Sequence, residues 1–439
     1  MKLVDSHSTA IPKGNLDGFK VHAKYDIISG FLVFLIALPL CLGISLASGY
    51  PAVAGIFTAI IGGVVATFIS NSELSIKGPA AGLIVIALGC VQEFGFTGGV
   101  DPAKDFQAYR LALGVGVVAG AYQIILGLFR VGILVNLFPK AAIHGLLASI
   151  GIIIISKQFP VLVGLSPQGS PLELLAGIPS FLTNMNPKVG VIGITGIIIV
   201  LGYGYIKNPK LKIIPAPMLM LLITVPMGTV MAIGLEGSYT FNNQIYELGQ
   251  KFLVNVPGNL LKAVTFPDFS GVVTETGIKY TVLFAIIGSL EGVISAKAID
   301  GIDPWGRKTN LDRDLLATGI ANTMSAFIGG LPMISEIVRS KANIDNGART
   351  RFANFYHGLF LLFCVALIPG FINQIPLAAL AALLVITGYR LASPNEFKSV
   401  YREGKDQFIV FVSTIFGVLA TDLLKGLAIG IGVRIVIHF

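Results

Sequence analysis

The sequence predicts an all-α integral membrane protein of about fourteen transmembrane segments, arranged as two inverted repeats of seven in which the third and tenth segments are broken. Three observations lead there. Of 439 residues, 54% are hydrophobic and 12% are charged, with a mean hydropathy of +0.81, which is more apolar surface than a water-soluble globule can cover. Apolar stretches close to the ~20 residues needed to cross a bilayer recur from residue 27 to residue 437. Twice, at 75–83 and at 329–340, glycine, proline and charge interrupt them. Paired Gly/Pro interruptions in the two halves of a chain point to a binding site near the membrane midplane.

Residues 1–25 are polar, with Lys2, Asp5, His7, Lys13, Asp17, Lys20 and Lys24, and offer no apolar run to a signal peptidase; they are expected to stay on the chain and in the cytoplasm. The first repeat, 26–235, reads as segments 27–48, 51–70, 80–94, 108–129, 141–159, 189–206 and 214–235. A short apolar piece, 171–182, reads as an interfacial helix. Residues 236–273 carry Asn, Gly, Pro and balanced charge, the composition of an extracytoplasmic linker. The second repeat, 274–439, reads as 274–298, 311–330, 335–344, 348–368, 374–389, 407–421 and 422–437.

Loop charges orient these segments. Arg130, Lys140, Lys207, Lys210, Lys212, Arg307, Arg349, Arg390 and Arg402 all fall on the side of the N-terminus, the positive-inside pattern, which puts both termini in the cytoplasm and the body in a bacterial plasma membrane. The net charge of +8 is scattered between apolar spans, so it argues for topology and against a nucleic-acid partner. Cys41, Cys90 and Cys364 sit inside apolar runs without metal-ligand spacing, so neither a disulfide nor a metal site is expected. No GxSxG elbow, HExxH pair or Walker loop occurs, and Gly114-Val115-Gly116 within a span is a packing feature; the sequence reads as neither an enzyme nor a cofactor binder.

An odd number of spans per repeat turns the second copy upside down, which makes the third and tenth segments face each other. Each is too short to cross and follows a Gly/Pro stretch, so two helix N-termini converge on a cavity and form an anion site from backbone N–H groups alone. Ala80 and Ala81 start one segment; Ser335, Glu336 and Ile337 start the other. Arg339, one turn in, adds a full charge with a fork suited to oxyanions. Ser335 can cap that helix or donate to the ligand. Charges near the bilayer centre cost about 2.5–3.5 kcal/mol each, so Glu291, Glu336 and Arg339 need partners or water. Glu291, one turn before Ser295 in the eighth segment, can take up a proton or hold a cation such as sodium. Glu336 and Arg339, three residues apart, can instead form an internal ion pair. Lys77 either attracts anions to the pocket or snorkels to the interface. Glu73 reads as a solvated loop charge, His144 and His357 as packing or interface residues, and Trp305 as an interfacial anchor.

The run Gly329-Gly330-Leu331-Pro332-Met333-Ile334-Ser335-Glu336-Ile337-Val338-Arg339-Ser340, continuing into Ala342-Asn343-Ile344-Asp345-Asn346-Gly347, resembles the SulP family of inorganic anion transporters. Asp26-Ile27-Ile28-Ser29-Gly30, Gly78-Pro79-Ala80-Ala81 and Gly288-Ser289-Leu290-Glu291 match in the same order. The resemblance implies a core domain (segments 1–4 and 8–11; 26–130 and 274–370), a gate domain (segments 5–7 and 12–14; 131–235 and 371–439), elevator-like movement between them, and a homodimer. It also implies that the anion binds at Ala80, Ala81, Ser335, Glu336 and nearby backbone, with Arg339 in the family's basic position. Some bicarbonate carriers have a hydroxyl residue in place of Ala80 and a sodium-linked aspartate in place of Glu291. The expectation is therefore sulfate first and bicarbonate second, coupled to protons. The family's usual cytoplasmic STAS domain is expected to have been removed after Phe439. A nucleobase–proton symporter of the same architecture and an anion channel are the alternatives.

Overall fold

The computed structural model describes residues 11–130, 139–206 and 214–438. Lys2, Asp5, His7, Lys207, Lys210 and Lys212, used above for topology, lie outside the described residues. The N-terminal half contains α1 (Ala23–Ala47), α2 (Val53–Val64), strand β1 (Lys77–Pro79), a 3-10 turn (Ala81–Leu83), α3 (Ile84–Glu93), α4 (Pro102–Leu128), α5 (Lys140–Leu162), α6 (Pro187–Gly202) and α7 (Ala216–Val230). A hairpin, β2 (Gly237–Phe241) and β3 (Gln244–Leu248), opens the connection to the C-terminal half. There follow α8 (Glu275–Ile302), α9 (Leu311–Phe327), β4 (Met333–Ser335), α10 (Ile337–Asp345), α11 (Phe352–Leu367), α12 (Leu377–Leu391), α13 (Lys405–Ala420) and α14 (Leu423–His438).

Among the described residues, six helical stretches are long and apolar enough to cross a membrane: Ala23–Ala47, Pro102–Leu128, Lys140–Leu162, Pro187–Tyr205, Glu275–Ile302 and Leu377–Glu403. Their starts follow local chemistry. Asp101, Asn186 and Thr274 each accept a hydrogen bond from a first-turn N–H of the helix they precede, and Asn310 does the same for α9. The stretch read as one interfacial helix is two, Pro171–Ala176 and Ile178–Thr183, the first opened by a capping box from Ser170 and Glu173.

The fold is all-α, with two short pairs of strands set into it. The linker folds into the β2–β3 hairpin, and β1 pairs with β4 across 256 positions of sequence, Lys77 opposite Ser335, Gly78 opposite Ile334 and Pro79 opposite Met333. Proline removes an N–H and forbids the preceding residue a helical conformation, so Pro79 and Pro332 keep these stretches extended.

The helices pack as two sets. In one, α4 lies along α9, α1 and α2 lie against α11, and α8 rests on α4; in the other, α5 packs on α12 and α13, α6 on α7 and α12, and α13 on α14. Gly151 of α5 and Gly388 of α12 face each other so closely that a Cβ on either would meet the other's carbonyl at 2.5–2.6 Å, the close approach small residues allow between membrane helices. Between the sets, contact is thinner: α1 touches α12 and α7, and α3 touches α5.

Candidate anion site at the crossed strands

Extended backbone inside an apolar body must satisfy its N–H and C=O groups from within the protein. The two strands do so with each other and with buried side chains. Met333 N–H donates to Asn322 Oδ1 at 2.6 Å while Asn322 Nδ2 donates to Met333 O at 3.2 Å, and Lys77 N–H donates to Asn354 Oδ1 at 3.1 Å. Glu336 N–H extends the ladder to Ile76 O at 2.8 Å. Immediately after the strands the chain turns helical, at Ala81 and at Ile337, so two helix starts sit side by side.

Lys77 neither faces the pocket nor reaches the interface. Its ammonium, 2% exposed, pairs with Asp314 at 2.9 Å and donates to Thr318 Oγ1 at 3.0 Å and Ser335 Oγ at 2.9 Å. Ser335 is therefore a strand residue whose hydroxyl serves this cluster, and the residue capping α10 is Glu336, without a side-chain cap bond. Asp314, Asn322 and Asn354 escaped the sequence reading; polar side chains within apolar helices were the signal.

Arg339 is 1% exposed. Its Nη2 donates to Pro79 O at 2.8 Å, its Nη1 lies 3.6 Å from Cys41 Sγ, and its Nε has no partner. No carboxylate among the described residues forms an ion pair with it, so the internal Glu336–Arg339 pair is absent. The Glu336 carboxyl instead lies within electrostatic range of the Arg339 guanidinium and near the Ala81 backbone at the start of the facing segment. Glu291 lies against that same start: a Cβ on Gly82 would fall on its Oε1, and its Oε2 has no hydrogen-bond partner. The Glu291 and Glu336 carboxyls lie within electrostatic range of each other.

A cavity of about 390 Å³ opens in front of the helix starts. Ala81, Glu336, Val338 and Arg339 form one wall, α1 contributes Leu40, and Tyr203, Pro217, Leu384 and Thr387 form the other. Its mouth is framed by exposed Asp345 and Arg390. The cavity thus lies on the seam between the two helix sets. Of the residues singled out by sequence, Ala81, Glu336 and Arg339 line it. Ala80 and Ser295 are buried and not part of its lining, Ser335 turns to Lys77, and Ile337 is exposed outside its lining.

One lesser reading changes. Glu73 is not merely solvated: it accepts from Gly14 N–H at 3.0 Å and Arg351 N–H at 3.2 Å, tying the N-terminal segment down. His357 is fully buried, the packing alternative of the two read from sequence, with both ring nitrogens unpartnered. Trp305 stacks beneath the Arg307 guanidinium, 4.6 Å from its ring centroid. Among the described residues no three His, Cys, Asp or Glu side chains converge as metal ligands would.

The family model for the sulfate permease family matches residues 24–414. The chain belongs to the sulfate permease family. This family member is 25% identical over 427 residues to the putative sulfate transporter YvdB of Bacillus subtilis, covering 95% of this chain and 74% of that one. It is 24% identical to the bicarbonate transporter BicA of a Picosynechococcus species, covering 94% of this chain and 70% of that one. Its fold superposes on the transmembrane domain of a cyanobacterial BicA with a TM-score of 0.74 at 21% identity, over 92% of this chain and 97% of that one. On SLC26A9 the TM-score is 0.81 at 14% identity, over 96% of this chain and 66% of that one. These relatives are transporters, not enzymes, and their membrane architecture is shared by this sulfate permease family member.

Proposed function

We propose that this protein is a secondary active transporter for a small inorganic anion, sulfate first and bicarbonate second, working by elevator-like movement of a core helix set against a gate set. The observation that carries the reading is Arg339: a buried guanidinium with no carboxylate in ion-pair contact, beside two helix starts, on an open cavity at the seam. A buried charge without a direct partner is costly, and an anion arriving at the cavity supplies one. The two-set packing, with its thinner contact, supports fourteen segments in two inverted repeats and a core (α1–α4, α8–α11) that slides on a gate (α5–α7, α12–α14). In this reading the Arg390 end of the cavity is cytoplasmic, the protein lies in a bacterial plasma membrane, and the structure represents an inward-open state.

Glu336 supplies a reason for proton coupling. Its carboxylate shares the cavity lining with Ala81 and Arg339, where its charge offsets the guanidinium and repels an incoming anion. Protonation lifts the repulsion, so proton and anion enter together. Glu291, unpartnered against the same helix start, is the second candidate to carry a proton.

Tracer uptake into proteoliposomes tests this, with sulfate, bicarbonate, fumarate and uracil compared under imposed pH and sodium gradients. Saturable sulfate or bicarbonate uptake driven by an inward proton gradient is expected. Uptake of uracil alone would favour a nucleobase symporter, which a buried guanidinium facing the cavity argues against.

A further inference from the structure

Between α7 and α8 the chain passes from one helix set to the other, and this connection is fastened at both ends. Its first part is bonded to the gate set. Gly249 N–H donates to Ile233 O at 2.9 Å, beyond the end of α7, and Val254 N–H donates to Ile375 O at 2.9 Å, just before α12. Asn373 closes this anchor: its Oδ1 accepts from Val256 N–H at 2.7 Å and its Nδ2 donates to Val256 O at 3.0 Å. The last part is bonded to the core set, where Thr265 N–H donates to Ile328 O at 3.2 Å, beyond the end of α9, and Asp268 N–H donates to Arg110 O of α4 at 2.9 Å.

Residues 257–264 lie between the two anchors. Among the described residues, their hydrogen bonds run only within 259–265. They contain Pro257, Gly258 and a single helical turn, Leu260–Ala263, capped by the Asn259 side chain, which accepts from Leu261 N–H at 2.9 Å. A helix this short does not hold by itself. Its apolar side keeps it in place: Ala263 is buried, and Leu260 and Val264 pack with it on a cluster that includes Val53 of α2 and Val225 of α7, one residue from each set. A helical residue advances about 1.5 Å and an extended one about 3.3 Å, so unwinding this turn lengthens the segment by about 7 Å.

We propose that residues 257–264 are an extensible tether that sets how far the core travels against the gate, with the Leu260–Ala263 turn wound in this state and unwound in the other. The tether rests on the transport reading above and adds to it the element that limits the stroke. Because Val254 and Val256 are fixed to one body and Thr265 and Asp268 to the other, a displacement between the bodies is absorbed by the residues between these anchors. The α11–α12 connection reaches the same gate-side anchor through Asn373, so the two crossings share one fixing point. In the orientation proposed above, this lies on the extracytoplasmic face.

Asn259→Cys combined with Lys262→Cys puts two thiols on the turn, where Lys262 N–H donates to Asn259 O at 3.1 Å, and a short bifunctional thiol reagent then bridges them and keeps the turn wound. Counterflow of labelled sulfate is measured in proteoliposomes before and after bridging. The two single-cysteine variants and the unsubstituted protein, with its own Cys41, Cys90 and Cys364, control for the reagent. Bridging is expected to lower the maximal rate at least about fivefold while KM stays within about twofold, because the anion site is untouched. Replacing Leu260–Ala263 by a Gly-Ser-Gly-Ser stretch is expected to keep at least about half of the maximal rate, and deleting the four residues to lower it at least about tenfold, since the tether supplies length and not helicity. If either length variant fails to fold, the bridging comparison decides. Bridged protein that transports at the unbridged rate, or a folded Gly-Ser variant as slow as the deletion, overturns the tether and leaves the transport reading standing. No uptake of sulfate or bicarbonate by the unsubstituted protein removes the transport reading and the tether with it.

Discussion

Arg339 has five N–H donors and uses few of them: one on the Pro79 carbonyl, a long contact to Cys41 sulfur, and none at Nε. A side chain held this way keeps both charge and donor capacity in reserve. Arg339→Ala is expected to abolish anion uptake in proteoliposomes, and Arg339→Lys to lower it at least about tenfold, because a point ammonium cannot hold Pro79 O and still present a planar fork. Uptake at the wild-type rate by the Ala variant would remove Arg339 from the site. Glu291→Gln leaves a neutral side chain of the same shape against Gly82, so the expected outcome is retained uptake with a flattened pH profile. An unchanged profile would leave Glu336 as the proton carrier. Both residues were legible in the sequence because ionisable groups in apolar segments stand out. The bond partners were not: that the Arg339 guanidinium donates to the Pro79 carbonyl in the other half depends on strand register, which three-residue strands do not announce.

At the scale of elements, the crossed strands depend on a clasp. Lys77 reaches from β1 to Asp314 and Thr318 on α9 and to Ser335 on β4, so one buried ammonium ties three elements together. Removing one member of a buried ion pair leaves the other charge uncompensated and costs about 3–5 kcal/mol, while replacing both with apolar groups is often neutral. Lys77→Met alone is therefore expected to lower the unfolding midpoint of the detergent-solubilised protein markedly, and Lys77→Met with Asp314→Leu to recover most of the loss. A double variant no more stable than the single one would show that the clasp is not an ion pair in energetic terms. The breaks themselves could be read from Gly78-Pro79 and Gly329-Gly330 with Pro332, since these residues forbid helix locally. What fills a break could not: Asp314 stands beside Asp312 and Arg313 at the charged start of the segment read as 311–330, and nothing local says that it turns inward to meet Lys77.

For the whole molecule, the seam between the two helix sets decides between carrier and channel. A channel needs a continuous water path. This structure instead has one cavity lined by Ala81, Glu336 and Arg339 and another lined by Glu93, Lys157 and Lys279, with residues of one buried apolar cluster bordering both. Apolar spans made the membrane character plain from composition alone, but the seam was invisible there, because helices facing lipid and helices facing each other are equally apolar. In the proposed mechanism the sets move once per cycle, so flux is expected to saturate and to be accelerated by anion on the far side. Counterflow of labelled sulfate into proteoliposomes preloaded with unlabelled sulfate is expected to exceed uptake into empty ones, and planar bilayers carrying the same protein are expected to show no unitary current steps. Resolved single-channel openings with sulfate as the only permeant anion would mean that the apolar barrier opens without the sets exchanging positions, and the sliding-core mechanism would then give way to a pore through the same two cavities.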